Sequence, residues 1–229
     1  MNKRITGILT LAVAITTFIW GVITVGNVVT TPTVTTLEEK IEAMGHLDFL
    51  FYFNYINAAL ITLLSVAMLT GFFMYCRKEA ELWSTIAFAF VPIYGMGNIV
   101  AYLSQVFVVP HLLDLYHQPE TEIIAKVLLG LLIHDWYETA IGALNVLSYA
   151  ILGIPSIIYA VIMFHRARGL RVGSMLLALS GVLSIVAVLG VALQNPMLEM
   201  MSLVGGLMYM ISLSIIGVFF LRQPVMAGK

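Results

Sequence analysis

FLFYFNYINAALITLLSVAMLTGFFMYC, residues 49–76, contains no Asp, Glu, Lys or Arg and ends against Arg77 and Lys78. At about 1.5 Å rise per residue, roughly 20 apolar residues carry a helix across a hydrocarbon core of about 30 Å, so this stretch is long enough to span a bilayer. Working outward from it, five further blocks share its character. The predicted spans lie at about 5–29, 49–76, 82–109, 138–165, 172–193 and 198–221, none with a charge near its middle. The composition agrees. Of 229 residues, 61% are hydrophobic and 10% charged, at a mean hydropathy of +1.01. A soluble domain would carry about 25% charged residues. The expected fold is all-α: a polytopic membrane helix bundle forming a single membrane domain over 1–229.

Charge distribution supplies the orientation. Lys3, Arg4, Arg77, Lys78, Arg166, Arg168, Arg171, Arg222 and Lys229 all fall on one side of a six-span layout. The opposite connections hold Lys40 and Lys126, together with Glu38, Glu39, Glu42, Asp48, Asp114, Glu120, Glu122, Asp135 and Glu138. Basic residues near span ends stay cytoplasmic, so both termini are predicted inside, in a multi-pass protein of the cell (plasma or inner) membrane. The first block follows Lys3 and Arg4 but is longer than the apolar region of a signal peptide, and it reads as a retained span. Net charge is −1 with no run of Lys or Arg, which gives nucleic acid nothing to bind. The single cysteine, Cys76, excludes an intrachain disulfide and a Cys-based zinc site.

The outer connections carry helical signals. Thr36 and Glu39 have capping-box spacing, which predicts a short surface helix at about 37–44. A second, at about 120–134, follows from Ile123, Ile124, Val127, Leu128, Leu131 and Leu132 recurring at helical spacing, with Glu122 and Lys126 paired four apart. Both are expected to lie on the outer side and to roof the bundle. Three spans on either side of this second helix divide the chain into halves of opposite topology, with Pro92 and Pro155 at similar depth.

Charge at a span centre costs roughly 2.5–3.5 kcal/mol on insertion scales, and its absence here argues against a proton pump or voltage sensor. The spans carry amides and hydroxyls instead. Asn54, Asn57, Asn98, Gln105, Asn145 and Tyr149 are the candidate ligand-binding residues, mostly in the middle or outer half, where they suit a neutral pocket open to the outside. Such groups also serve as interhelical hydrogen bonds. A second constellation comprises His111, Asp114, His134 and Glu138. On continuous helices His111 and Asp114 are three apart and His134 and Glu138 four apart, spacings that a divalent metal such as zinc accepts. No His-Glu-x-x-His motif accompanies them. Ser174 with Ala178, Ser180 with Ser184, and Ser202 with Gly206 have small-xxx-small spacing and read as close packing, within the chain or between copies.

In layout, and in the stretches AFAFVPIYG (87–95) and YAILGIPSIIYAVI (149–162), the chain resembles small prokaryotic multi-pass membrane proteins catalogued only as domains of unknown function. The resemblance rests on no catalytic or binding motif and transfers no functional residue. The residues themselves favour a non-enzymatic membrane protein, without a required cofactor, that holds or passes a neutral or amphiphilic small molecule or lipid. The alternatives are a metal-dependent enzyme acting on lipid at the outer face, and an accessory subunit of a larger membrane complex; the expected partners are the lipid bilayer and either further copies of this chain, as a homo-oligomer, or such a complex.

Overall fold

Backbone amides removed from water must hydrogen-bond within their own segment, and this chain meets that demand with helices. The computed structural model describes residues 3–30, 34–45, 47–136 and 139–223, with 27–30 as backbone only. It is 87% helix, with no strand among the described residues. In chain order the helices are α1 (Lys3–Thr30), α2 (Leu37–Ala43), α3 (Phe49–Cys76), α4 (Glu81–Phe107), α5 (Val109–Tyr116), α6 (Glu122–Leu132), α7 (Ala140–Arg166), α8 (Arg171–Ala192), α9 (Pro196–Glu199) and α10 (Met201–Arg222). Six are long and apolar enough to cross a membrane: α1, α3, α4 with its continuation α5, α7, α8 and α10.

These six close into a ring. α1 packs on α3, α3 on α4, α4 on α7, α7 on α8, α8 on α10, and α10 back on α1. Small residues permit the closest approaches. A Cβ on Gly153 of α7 would stand 2.5 Å from the carbonyl oxygen of Gly181 on α8, and one on Gly181 would stand 2.6 Å from that of Gly153. Only glycine at both positions allows that crossing.

The ring is filled unequally along its length. In the half nearest the α3–α4 turn, Met68, Leu69, Phe72, Ala87, Val91, Tyr159, Met163, Leu177, Leu213 and Phe220 form one continuous buried core. Arg166 closes this end. Its guanidinium lies 3.9 Å from the Tyr75 ring centroid, donates to the Tyr75 carbonyl and sits 3.5 Å from a Glu79 carboxylate oxygen.

At the opposite end α2, α5 and α6 gather into a cap with its own core of Ile41, Met44, Val109, Leu112, Leu113, Leu129 and Ile133. The capping box is as expected: Thr36 Oγ1 accepts from Glu39 N, and the Glu39 carboxylate accepts from the backbone N–H groups of Thr35 and Thr36. Two ion pairs bind the cap together, Lys40 to Asp135 at 2.7 Å and Lys126 to Glu38. The Glu38 carboxyl is held below its ordinary value by Lys126, while backbone donation from Thr35 and Thr36 does the same for Glu39.

Several boundaries shift. The third span, expected at 82–109, breaks at Val108 and resumes as α5, because Pro110 has no N–H to extend the ladder. α6 is shorter than 120–134, and the fourth long helix begins at Ala140, after Thr139 Oγ1 accepts from Gly142 N at 3.0 Å. The apolar stripe on α6 faces outward. Ile123 is 80% exposed and Ile124, Val127, Leu128 and Leu131 are exposed as well, whereas Ala125 and Leu129 face the cap core.

Candidate functional site

Between the filled half and the cap the ring is hollow. A cavity of about 640 Å³ is lined by all six long helices, within the range of about 300–1,000 Å³ typical of small-molecule sites. No Asp, Glu, Lys or Arg lines it among the described residues. Its walls are aromatic and hydroxylic: Trp20, Tyr94, Tyr102, Tyr149 and Tyr209, with Thr17, Thr24, Ser65, Ser156, Ser180 and Ser184 between apolar residues.

Helical spacing explains how the polar groups converge. Ser65 lies seven residues, about two turns, after Ala58, and Tyr102 lies eight after Tyr94, so each pair shares a face. On α7, Asn145, Tyr149, Leu152 and Ser156 recur at three- and four-residue steps along one inward stripe. Tyr102 and Tyr149 hydroxyls meet at 2.6 Å, joining α4 to α7. Beside them, Asn145 Nδ2 donates to Asn98 Oδ1 at 3.0 Å.

Several polar atoms facing or adjoining the cavity have no hydrogen-bond partner within the protein. They are Thr17 Oγ1, Thr24 Oγ1, Ser65 Oγ, Asn98 Nδ2, His134 Nε2 and Tyr209 OH. A buried polar group without a partner costs about 1–3 kcal/mol, and five of these six atoms belong to residues of the cavity wall.

His134 enters the cavity wall from the α6–α7 connection, its ring 5.7 Å from those of Tyr55 and Tyr102. Gln105 positions it. The Gln105 amide donates to Leu132 O at 2.7 Å and accepts from His134 N at 3.0 Å, fastening the connection to α4. Burial holds the imidazole below its ordinary value, against the opposing influence of Asn145 and Asp135, which favours the neutral ring near pH 7.

The expected ligand-binding residues separate into roles. Asn145 and Tyr149 line the cavity, and Asn98 stands directly behind Asn145. Asn57 donates to Thr16 O at 3.0 Å and ties α3 to α1. Gln105 is the fastening of the cap, and Asn54 lies on α3 outside the cavity wall, its Oδ1 without a partner. Ser180, Ser184, Ser202 and Gly206, expected as packing residues, line the void as well.

The metal constellation does not assemble among the described residues, where no three His, Cys, Asp or Glu side chains group to hold an ion. His111 and Asp114 are exposed on α5, whereas His134 turns inward. The continuous helix assumed for His134 and Glu138 is also absent, since Ile133 ends α6 in an extended conformation; Glu138 itself lies outside the described residues.

Sequence reasoning missed α1 as a wall of the site. Thr17, Trp20, Gly21 and Thr24 form one helical stripe, a signal present in the sequence but submerged in a uniformly apolar block. Comparison with protein-family models, curated proteins and solved structures finds no match to this chain.

Proposed function

We propose that this chain is a non-enzymatic multi-pass protein of the cell membrane whose hollow half binds or passes a neutral or amphiphilic small molecule or lipid. The observation that carries the reading is the cavity of about 640 Å³ whose wall carries hydroxyl, phenol and amide groups and, among the described residues, no charge. Hydroxyl and amide groups in the wall offer hydrogen bonds to a neutral head, and an uncompensated charge in such a site would be costly. The excess of Lys and Arg at the termini and at the α3–α4 and α7–α8 connections supports cytoplasmic termini. In that orientation the cap and the hollow half belong to the outer leaflet. The outward apolar stripe of α6 suits a helix resting in the interface.

Native mass spectrometry of the protein released from mild detergent tests this. A retained organic mass is expected on the wild-type chain, lost when Ser156→Phe fills the cavity in a protein that still melts cooperatively. A bare polypeptide from native membranes would overturn the reading.

A further inference from the structure

The cavity has a side door. At one end α1 and α10 are pressed together: a Cβ on Gly7 would lie 3.0 Å from Gly217 O, and one on Gly217 would lie 2.7 Å from Leu11 Cγ. About 20 Å further along α1, at 1.5 Å per residue, the glycines of the two helices make no such contact. A Cβ on Gly21 or on Gly206 would meet nothing within 4 Å. Phe18, Val22 and Val25 on α1 and Leu203 and Leu207 on α10 are each more than half exposed and yet line the cavity, which places them at the edges of an opening. All five are apolar. In a membrane such a rim faces acyl chains, since headgroups and water would leave it unsolvated.

We infer that this α1–α10 cleft is a lateral portal through which a single-chain, uncharged amphiphile reaches the cavity from the bilayer. The inference rests on the pocket reading above and adds the route and the ligand class. Rim chemistry selects a molecule already dissolved in lipid. The interior selects its head, because hydroxyl-bearing residues such as Thr17, Ser156, Ser180 and Ser184 and the phenol-bearing Tyr149 and Tyr209 line a void with no lining charge among the described residues. A head bearing several hydroxyl or carbonyl groups pairs with these groups, whereas a phosphate would be left without a counter-charge. A narrow opening between two helices passes one chain more readily than the paired chains of a bilayer phospholipid.

The test uses the full-length protein reconstituted in phosphatidylcholine vesicles and two photoactivatable probes. One is a monooleoylglycerol with a diazirine in its chain, and the other a lysophosphatidate with the same chain. The glycerol probe is expected to label residues of the cavity wall, Tyr209 and Tyr149 among them, and the lysophosphatidate to leave them unlabelled. Gly206→Trp fills the cleft from α10, where a side chain meets no neighbour, and is expected to cut interior labelling about tenfold or more. Gly21→Leu, on the facing edge, provides a second variant should the first fail to fold. Interior labelling that is unchanged in folded variants would overturn the portal while leaving the pocket intact. Equal interior labelling by the lysophosphatidate would overturn the assigned ligand class. No interior labelling, together with a bare polypeptide by mass spectrometry, would instead remove the pocket reading on which the portal rests.

Discussion

Asn145 Nδ2 donates to Asn98 Oδ1 at 3.0 Å within the α4–α7 interface, and the Asn98 Nδ2 beside it has no partner. The pair therefore joins two helices directly behind the cavity wall.

Interhelical hydrogen bonds in membrane proteins average about 0.6 kcal/mol and reach about 1.7. A double-mutant cycle with Asn98→Ala and Asn145→Ala, read by reversible unfolding in mixed micelles, is expected to show coupling in that range. Strict additivity of the two single losses would mean that the bond contributes nothing to the fold.

Gly153 and Gly181 approach so closely that any side chain must separate α7 from α8. Alanine at either position places a carbon within 2.6 Å of the opposite carbonyl oxygen. Overpacking of this kind costs about 1–3 kcal/mol, so Gly153→Ala should lower the melting temperature by several degrees. Gly21→Ala, whose added carbon meets no neighbour, serves as the comparison. Similar melting temperatures for the two would contradict the crossing described.

Gln105 fastens the α6–α7 connection through both ends of its amide. Replacing it with Leu leaves the Leu132 carbonyl and His134 amide without these partners, at about 1–3 kcal/mol for each buried group. Faster hydrogen exchange is expected in residues 132–136, with the basic half of the bundle unaffected. Uniform acceleration along the chain would indicate global unfolding in place of a released cap.

Acidity should weaken the fold through His134. Its folded value is lowered by burial from an unfolded value of about 6.5, so below that pH the unfolded chain binds the proton first. The contribution is complete above about 6.5 and is lost as pH falls from there toward the folded value. Asp135, tied to Lys40, and the phenols of Tyr55 and Tyr102 are the titratable groups facing the ring. Melting temperature measured against pH should decline more steeply in the wild type than in His134→Gln. Parallel curves would show that the ring does not titrate with folding.

Much of the architecture was legible before the structure. Uninterrupted apolar blocks such as 49–76 specify spanning helices, because a bilayer offers backbone amides no partners outside the helix. The capping box at Thr36 and Glu39 and the apolar repeat of α6 also mark real helices. Asn145 and Tyr149 stood out in the sequence because polar groups contrast with hydrocarbon, and both line the cavity. Asn57 and Gln105 carried the same signal and turned out to bind neighbouring backbone, a distinction that residue type does not encode.

By itself, the amino-acid sequence determined the six long apolar helices, since each follows from local hydropathy and the cost of burying unpaired backbone and charge. Tertiary structure decided how the ring closes, which half fills and which stays hollow. That choice depends on where glycines such as Gly153 and Gly181 let two helices touch. Every long helix is apolar around most of its circumference, so hydropathy contains no direction toward the interior. Shape complementarity between neighbours supplies it.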